Sequence, residues 1–131
     1  MSEIHLYIVD DEPSVRGALS RLARSAKMTP HAFASVKDFL DAATPDAGAC
    51  VVCDVRMPGQ SGLELPGLLT RAGRSVPVIF VTAHDTEDAR QSARQAGAAG
   101  FFTKPVDDQA LLDAIAWAMG GTESENRTLV P

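Results

Sequence analysis

Five side chains that could take part in chemistry stand at the carboxyl ends of short apolar runs in this sequence: Asp10, Asp11, Asp54, Thr82 and Lys104. Carboxylates that converge in one pocket repel one another unless their pKa values shift or a cation joins them. Oxygen ligands without histidine or cysteine favour Mg²⁺ or Mn²⁺ as that cation. An ammonium group and a hydroxyl can hold phosphoryl oxygens as negative charge develops on them. If the fold brings these residues together, they predict a pocket in which a carboxylate accepts a phosphoryl group.

Asp54 is the candidate nucleophile, because carboxylates serve as nucleophiles in aspartyl-phosphate chemistry. It ends the apolar run in the stretch CVVCDVRMPGQSG, and the turn dipeptide Pro58-Gly59 follows it closely. Taken singly, each candidate has an ordinary structural explanation, since acids cap helices and a lone lysine is usually a solvated surface charge. The prediction therefore depends on the elements that would bring these residues together.

Short apolar runs alternate with helical patterns along the chain. We expect strands over 4–9, 29–34, 49–54, 76–82 and 99–104. We expect helices over 13–26, 35–43, 62–71, 86–96 and 107–119. This alternation predicts an α/β fold, a doubly wound (βα)5 three-layer sandwich of the flavodoxin-like type with a five-stranded parallel sheet in the order 2-1-3-4-5. Ligands of such sheets bind at the carboxyl ends of the strands, where the candidate residues stand.

Length and composition are those of one globular domain. The chain has 131 residues, of which 45% are apolar and 22% charged, and its net charge is -5. Such an acidic domain is poorly suited to bind nucleic acid or an anionic membrane, because both need a basic face. The amino-terminal residues show neither a signal peptide nor a membrane span, so the cytoplasm is the expected compartment.

Two cysteines, Cys50 and Cys53, form a C-x-x-C pattern. On a strand, positions three apart point to opposite faces, which prevents a local disulfide or shared metal ligation. We therefore expect two buried, free thiols that pack as small apolar residues.

The residues after Met119 have the composition of a linker. Gly120-Gly121 stops the last helix, and 121–131 is polar. We therefore expect one domain over 1–120 and a tail or linker over 121–131 that leads to a further domain.

Four motifs resemble those of a known family in order and in spacing. They are VDDE at 9–12, DVRMPGQSG at 54–62, VTAH at 81–84 and TKP at 103–105. Together they resemble the CheY-like receiver domains of two-component response regulators, over residues 4 to about 119. The phrase DVRMPG, with phenylalanine at 101, is most similar to the NarL/FixJ-type regulators.

This resemblance implies a set of site residues. Asp54 would accept a phosphoryl group from a sensor histidine kinase, with Thr82 and Lys104 in contact with that group. The metal, Mg²⁺ or Mn²⁺, would be held by Asp10, Asp11, Asp54 and the backbone carbonyl of Arg56. The Lys104–Pro105 peptide bond would be cis. The domain would be a signalling switch, not an enzyme, although it would assist its own phosphorylation and dephosphorylation.

The resemblance also implies how the switch works. Thr82 and Phe101 would move on phosphorylation, and Arg56 and His84 would tune how fast the phosphate is lost. The changed face of helix four, strand five and helix five would control homodimerisation or an output domain. Nucleic acid would be bound only through that further domain.

The fourth helical pattern carries a signal of its own. From His84 to Gly100 there is no leucine, isoleucine, valine, methionine or aromatic residue. Alanines bury much less apolar surface than leucines, at about 25 cal/mol per Å². We therefore expect a loosely held helix that shifts on phosphorylation, the alternative being a close-packed alanine helix that does not move.

Two other functions are compatible with parts of the sequence. A phosphatase of the haloacid dehalogenase type also forms an aspartyl phosphate, but it needs an Asp-x-Asp motif after strand one, where this chain has adjacent acids. A stand-alone receiver could act through protein contacts alone, without phosphorylation. The intact acceptor, acid pair, threonine and lysine weigh against that alternative.

Overall fold

Strands and helices alternate along the part of the chain that this computed structural model describes, residues 3–43, 45 and 48–120. The elements are β1 (His5–Val9), α1 (Pro13–Ser25), β2 (Thr29–Phe33), α2 (Val36–Ala42), β3 (Ala49–Cys53), a 3₁₀ turn (Gly62–Glu64), α3 (Leu65–Arg71), β4 (Val78–Thr82), α4 (Glu87–Gln95), β5 (Gly100–Thr103) and α5 (Asp108–Met119). The predicted tail, 121–131, lies outside the described residues.

The five strands form one parallel sheet in the order β2-β1-β3-β4-β5, which confirms the predicted fold class. β1 pairs on one side with β2 and on the other with β3. The winding of the sheet therefore reverses between β1 and β3, which is where ligands of such sheets bind.

Each face of the sheet has its own apolar core. On one face, α2, α3 and α4 pack on the strands, with Phe39 and Leu65 among the fully buried side chains. On the other face, α1 and α5 pack through residues such as Leu19 and Leu111. Alternation along β3 sends Cys50 to the second core and Cys53 to the first. The two thiols are buried and free, as predicted.

Side-chain caps begin three of the helices where the sequence predicts them. Ser35 accepts a hydrogen bond from the backbone N–H of Asp38 at 3.0 Å, at the start of α2. Thr86 caps α4 and Asp107 caps α5 in the same way. These oxygens satisfy donors that have no partner within the helix, so the helix starts follow from local sequence.

The third predicted helix differs from the structure. The expected helix over 62–71 is a 3₁₀ turn over Gly62–Glu64 followed by a separate α3 over Leu65–Arg71. Pro66 is the physical reason, because a proline inside a helix lacks an N–H and its ring clashes with the carbonyl four residues earlier, here that of Gly62. The break therefore lies at the end of the loop that follows β3.

Among the residues described, no helix combines the length and the apolar character that a membrane crossing requires.

Candidate functional site

Two buried carboxylates lie side by side where β1 and β3 end. Val9 and Cys53 are partners in the parallel register, so Asp10 and Asp54 leave the sheet at the same level. Asp10 is 2% exposed and Asp54 6% exposed. The backbone N–H of Asp54 donates to Val9 O at 3.0 Å, which extends the ladder into the site. The fold therefore buries two acids next to each other, which is costly unless cations accompany them.

Lys104 supplies a positive charge to this pair from the residue after β5. Its Nζ lies 2.9 Å from Asp10 Oδ2 and 3.2 Å from Asp54 Oδ2. It also contacts Glu12 Oε1 at 2.9 Å. One ammonium thus joins three carboxylates, and the site keeps an excess of negative charge.

The pKa values of Asp10 and Lys104 reflect the opposing effects of burial and of hydrogen bonding. Burial raises the pKa of Asp10, and the hydrogen bonds from Lys104 and from the Glu12 N–H offset only part of that effect. Burial by itself would lower the pKa of Lys104, but hydrogen bonds to Asp10 and Glu12 outweigh it, so that this pKa lies above its ordinary value. The lysine therefore stays charged, and Asp10 is the acid that burial penalises.

The cluster has the donor chemistry of a magnesium site. Asp10, Glu12 and Asp54 each offer a carboxylate oxygen, and these atoms lie within 4.8 Å of one another. Asp54 Oδ1 is buried, and no hydrogen-bond partner meets it among the residues that the structure describes. Buried polar atoms normally have partners. An oxygen-only set with one unsatisfied carboxylate oxygen fits a hard divalent cation that keeps some of its waters.

The structure places the predicted metal ligands unequally. Asp10 and Asp54 belong to the acidic cluster together with Glu12, whereas Asp11, exposed like Glu12, is not one of its members. The backbone N–H of Glu12 donates to Asp10 Oδ1 at 2.9 Å, which fixes the start of α1 beside the site. Sequence reasoning did not assign Glu12 a role, although its position directly after the acid pair was a signal. Asp11 and the Arg56 carbonyl remain predictions as metal ligands.

Thr82 lies at the end of β4, fully buried. Its Oγ1 accepts a hydrogen bond from the backbone N–H of His84 at 3.1 Å. The side chain of His84 meets Arg56, with Nδ1 and Nη1 3.1 Å apart. Since arginine only donates, His84 Nδ1 accepts this bond. The pair joins the loops after β3 and β4, and the tuning roles that the family resemblance implies for these two residues stay predictions.

A polar network ties α4 to β5. The Asp85 carboxylate accepts two hydrogen bonds from Arg90, at 2.5 and 2.8 Å, and one from Thr103 Oγ1 at 2.5 Å. The Arg90 guanidinium also lies over the Phe101 ring, 4.9 Å from its centroid. Bonds to Arg90 and Thr103 lower the pKa of Asp85 to about 2. The sequence analysis assigned only Phe101 from this group.

This network matters because α4 contributes little to the core. Ala93 is the one residue of α4 that is buried. The lack of large apolar residues in this segment thus leaves α4 with one buried side chain, and its loose attachment and its shift on phosphorylation stay predictions. Polar contacts near its start and the buried Ala93 contribute to holding this helix.

Gly62 is a supporting residue that the sequence analysis did not single out. A Cβ at this position would lie 1.9 Å from the Asp54 carbonyl oxygen. The Gly62 N–H donates to Val55 O at 2.9 Å. The loop after β3 therefore closes directly onto the backbone of Asp54, and only glycine fits there. The structure also gives the Lys104–Pro105 peptide bond as cis, the form that the resemblance implies.

The fold and this acidic site are those of a receiver domain. The family model described as "Response regulator receiver domain" matches residues 6–116. The chain belongs to the response regulator receiver domain family, a family of signalling regulators rather than of enzymes. This confirms the family expected from the four motifs, and it sets the phosphatase alternative aside.

Relatives place the chain near FixJ-type regulators. Response regulator protein TodT of Pseudomonas putida is 40% identical over 114 residues, which cover 87% of this chain and 50% of that protein. Transcriptional regulatory protein FixJ of Azorhizobium caulinodans is 37% identical over 122 residues, which cover 93% of this chain and 58% of that protein. The chain therefore spans about half the length of the curated relatives it matches.

Solved structures agree with this placement. The crystal structure of FixJ-N superposes with a TM-score of 0.82 at 32% identity, covering 91% of this chain and 95% of that one. The structure of response regulator StyR superposes with a TM-score of 0.83 at 38% identity, covering 98% of this chain and 64% of that one. The expected likeness to FixJ-type regulators is confirmed.

Proposed function

We propose that this chain is a phosphorylation-activated switch in which Asp54 accepts a phosphoryl group from a sensor histidine kinase. The observation that carries the proposal is the Asp54 carboxylate itself, buried beside Asp10 and Lys104 with Oδ1 unsatisfied. A buried acid in such a position is expensive to keep, and an acceptor role explains why this one is kept.

In the transfer step, a carboxylate oxygen of Asp54 forms a bond to phosphorus while the phosphorus–nitrogen bond of the donor phosphohistidine breaks. The donor imidazole leaves with the electron pair of the broken bond and takes up a proton. Lys104, 3.2 Å from Asp54 Oδ2, is placed to bind a phosphoryl oxygen as the acyl phosphate forms. Thr82 would supply its hydroxyl to another phosphoryl oxygen.

Asp10, Asp11, Asp54 and the Arg56 carbonyl would hold Mg²⁺, or Mn²⁺ in its place. The bound ion would neutralise negative charge on the carboxylates and on the phosphoryl oxygens. Lys104 contacts both Asp10 and the exposed Glu12. With the ion bound to Asp10, the Glu12 carboxylate would balance the positive charge of Lys104. The domain would in this way assist its own phosphorylation and dephosphorylation, with Arg56 and His84 controlling access of water to Asp54.

The switch would start at Thr82. A Thr82 hydroxyl that turns to the phosphoryl group gives up its hydrogen bond with the His84 N–H, which loosens the loop that leads into α4. A cavity of about 520 Å³ lies between α4 and the loop after β3, so α4 has room to shift. Phe101, now covered by Arg90, would change its packing at the same time.

The output would be a changed face of α4, β5 and α5. We propose that this face controls homodimerisation and, in a longer protein, a transcriptional output domain beyond residue 120 that binds DNA. Two relatives carry transcriptional names, FixJ and TdiR, and the chain matches only about half of each relative's length or slightly more. A kinase donor would place the protein in the cytoplasm.

The test is the intact mass of the protein after incubation with acetyl phosphate, with Mg²⁺ or with EDTA. Wild type is expected to gain one phosphoryl group only when Mg²⁺ is present. Asp54→Asn should gain none. Asp113→Asn, which alters an exposed aspartate on α5, is the matched control and should gain one group like the wild type.

An adduct that persists in Asp54→Asn would show that another residue is the acceptor. No adduct in the wild type after a fast quench, with beryllofluoride binding also absent, would contradict phosphorylation altogether. The chain would then be a receiver that acts through protein contacts alone.

A further inference from the structure

Two histidines face each other at the opposite end of the sheet from the acidic cluster. His5 opens β1, and His31 lies on the neighbouring strand β2, opposite Tyr7. Because side chains alternate along a strand, His5, Tyr7 and His31 share one face of the sheet. His5 stands five residues before Asp10, about 16 Å along the strand. The pair is therefore separate from the phosphoacceptor site.

The facing nitrogens of the two rings have the separation of ligands on one metal ion. His5 Nδ1 and His31 Nε2 are 3.0 Å apart. Two nitrogens that each lie about 2.0 to 2.1 Å from a common ion are separated by roughly 2.9 Å at a square angle and 3.4 Å at a tetrahedral one. An ion beside the line that joins these nitrogens can therefore replace the hydrogen bond at nearly the present separation, once each ring turns to aim its lone pair at the ion.

The surrounding structure holds both rings in place. Tyr7 stacks on His31 with centroids 4.7 Å apart, and the two histidine rings stack at 5.2 Å. Tyr7 in turn meets the buried Phe39 edge-on at 5.6 Å. These ring contacts connect the two histidines to the core. They limit the movement of both ligands before an ion binds.

Glu3 occupies the position of an outer carboxylate. Its Oε1 lies 4.0 Å from His5 Nε2, the nitrogen that points away from His31. A carboxylate beside the far nitrogen of a ligating histidine keeps the proton there and leaves the other nitrogen free for a metal. At 4.0 Å the Glu3 carboxylate is beyond hydrogen-bond distance, but a small rotation of its side chain would let it hold the proton on His5 Nε2 and leave Nδ1 as the ligand.

The protonation state of His31 is also suited to metal binding. Burial and the neighbouring His5 lower the pKa of His31. A neutral imidazole is the form that binds metals. His5 remains partly open, with 40% of its side chain exposed, so an ion can reach the pair from solvent.

We propose that His5 Nδ1 and His31 Nε2 bind a late first-row divalent cation, Cu²⁺, Ni²⁺ or Zn²⁺, with water in the remaining positions. In the free protein, one of the two rings donates its N–H to the facing nitrogen of the other. When the ion binds, that proton moves to the opposite nitrogen of the donor ring, so both facing nitrogens become ligands. Imidazole ligands select these metals over Mg²⁺, which prefers oxygen. The site is thus distinct in chemistry as well as in place from the acidic pocket.

The test is calorimetric titration of the tag-free protein with Ni²⁺ in excess Mg²⁺, which occupies the acidic pocket. Wild type is expected to bind one equivalent, and Cu²⁺ should bind more tightly than Ni²⁺. His31→Gln should weaken binding more than tenfold. His84→Gln, which removes the remaining histidine of the three in this chain, is the matched control and should bind like the wild type. Glu3→Gln should bind about tenfold more weakly, because it keeps both ligands but loses the outer carboxylate.

A second measurement does not depend on any variant. Substoichiometric Cu²⁺ is expected to broaden the imidazole NMR signals of His5 and His31 before those of His84. Absence of saturable binding, equal broadening of all three histidines, or unchanged Ni²⁺ affinity in a folded His31→Gln would each overturn the proposal. These outcomes are independent of whether Asp54 is phosphorylated, because they involve neither acetyl phosphate nor the acidic pocket.

Discussion

Replacing Gly62 by alanine should damage both the stability of the protein and its acceptor site. The added Cβ would lie 1.9 Å from the Asp54 carbonyl oxygen and 2.8 Å from Cys53 Sγ. Neither atom is the end of a long, flexible side chain that could turn away. The loop after β3 and the backbone of Asp54 must therefore move apart.

The size of this movement sets the expected effect. Real Cβ atoms essentially never approach within 3.0 Å of another group, so Gly62 and Asp54 must separate by at least about 1.1 Å. Overpacking in a core usually costs about 1 to 3 kcal/mol, and a clash with main chain belongs at the upper end, so we expect a loss of about 3 kcal/mol or more. A displacement of about 1 Å in a reacting group can lower a rate about 100-fold.

Gly67→Ala is the matched control, five positions later in α3. Its Cβ would meet only the end of the Arg71 side chain, at 3.5 Å. Alanine in a helix interior is favoured over glycine by about 0.5 to 1 kcal/mol, so this variant should be slightly more stable than the wild type. Urea denaturation gives the free energy of unfolding of both variants, and quenched mass measurements give their rates of phosphorylation by acetyl phosphate.

A Gly62→Ala protein within 0.5 kcal/mol of the wild type by urea denaturation, with phosphorylation at the wild-type rate, would refute this reasoning. It would mean that the loop relaxes at little cost and that Gly62 does not position Asp54. Equal destabilisation by Gly67→Ala would point instead to a general weakness of α3.

Three further predictions concern the site and α4. In metal-free buffer at pH 7, Asp10→Asn should raise the free energy of unfolding by on the order of 1 kcal/mol, because it removes one of three clustered carboxylates. Burial raises the pKa of Asp10 in the folded protein above 3.8, its value in the unfolded chain, so the wild type loses stability as pH rises from 3.8 through the folded-state pKa. The gain from Asp10→Asn should therefore vanish below pH 3.8, where the carboxyl is protonated in both states. A gain that does not depend on pH would contradict this explanation. Asp85→Asn breaks the bonds that tie α4 to β5, so amides of α4 should exchange faster with solvent while those of α1 stay as they are; unchanged exchange in α4 would mean that these bonds do not hold it. Arg56→Ala and His84→Ala should each change the lifetime of the acyl phosphate, measured by its decay in EDTA, and unchanged lifetimes would exclude a role in water access.

Much of the fold was predictable because its signals are local. Strands such as β3 stand out as short apolar runs, and the capping oxygens of Ser35, Thr86 and Asp107 mark helix starts within a few residues. Parallel order follows from the alternation of elements, since short connections and right-handed crossovers leave few alternatives. The break before α3 was missed, although Pro66 was visible in the sequence, because the apolar spacing continued through it.

Part of the candidate site was also predictable. Parallel strands end at one edge of the sheet, so Asp10, Asp54, Thr82 and Lys104 had to lie near one another once the fold class was known. The small contribution of α4 to the apolar core could be predicted too, because a segment without large apolar side chains can bury little wherever it packs.

The sequence by itself therefore determined the elements, their order and the edge at which the chemistry stands. Tertiary structure alone decided which atoms meet there: Lys104 reaches Glu12 across 92 positions of chain, and Gly62 closes on the carbonyl of Asp54. It also paired His5 with His31, through a strand register that no local pattern specifies. The physical reason is range. Periodicity and capping act over a few residues, whereas these contacts depend on how strands and loops distant in sequence pack together.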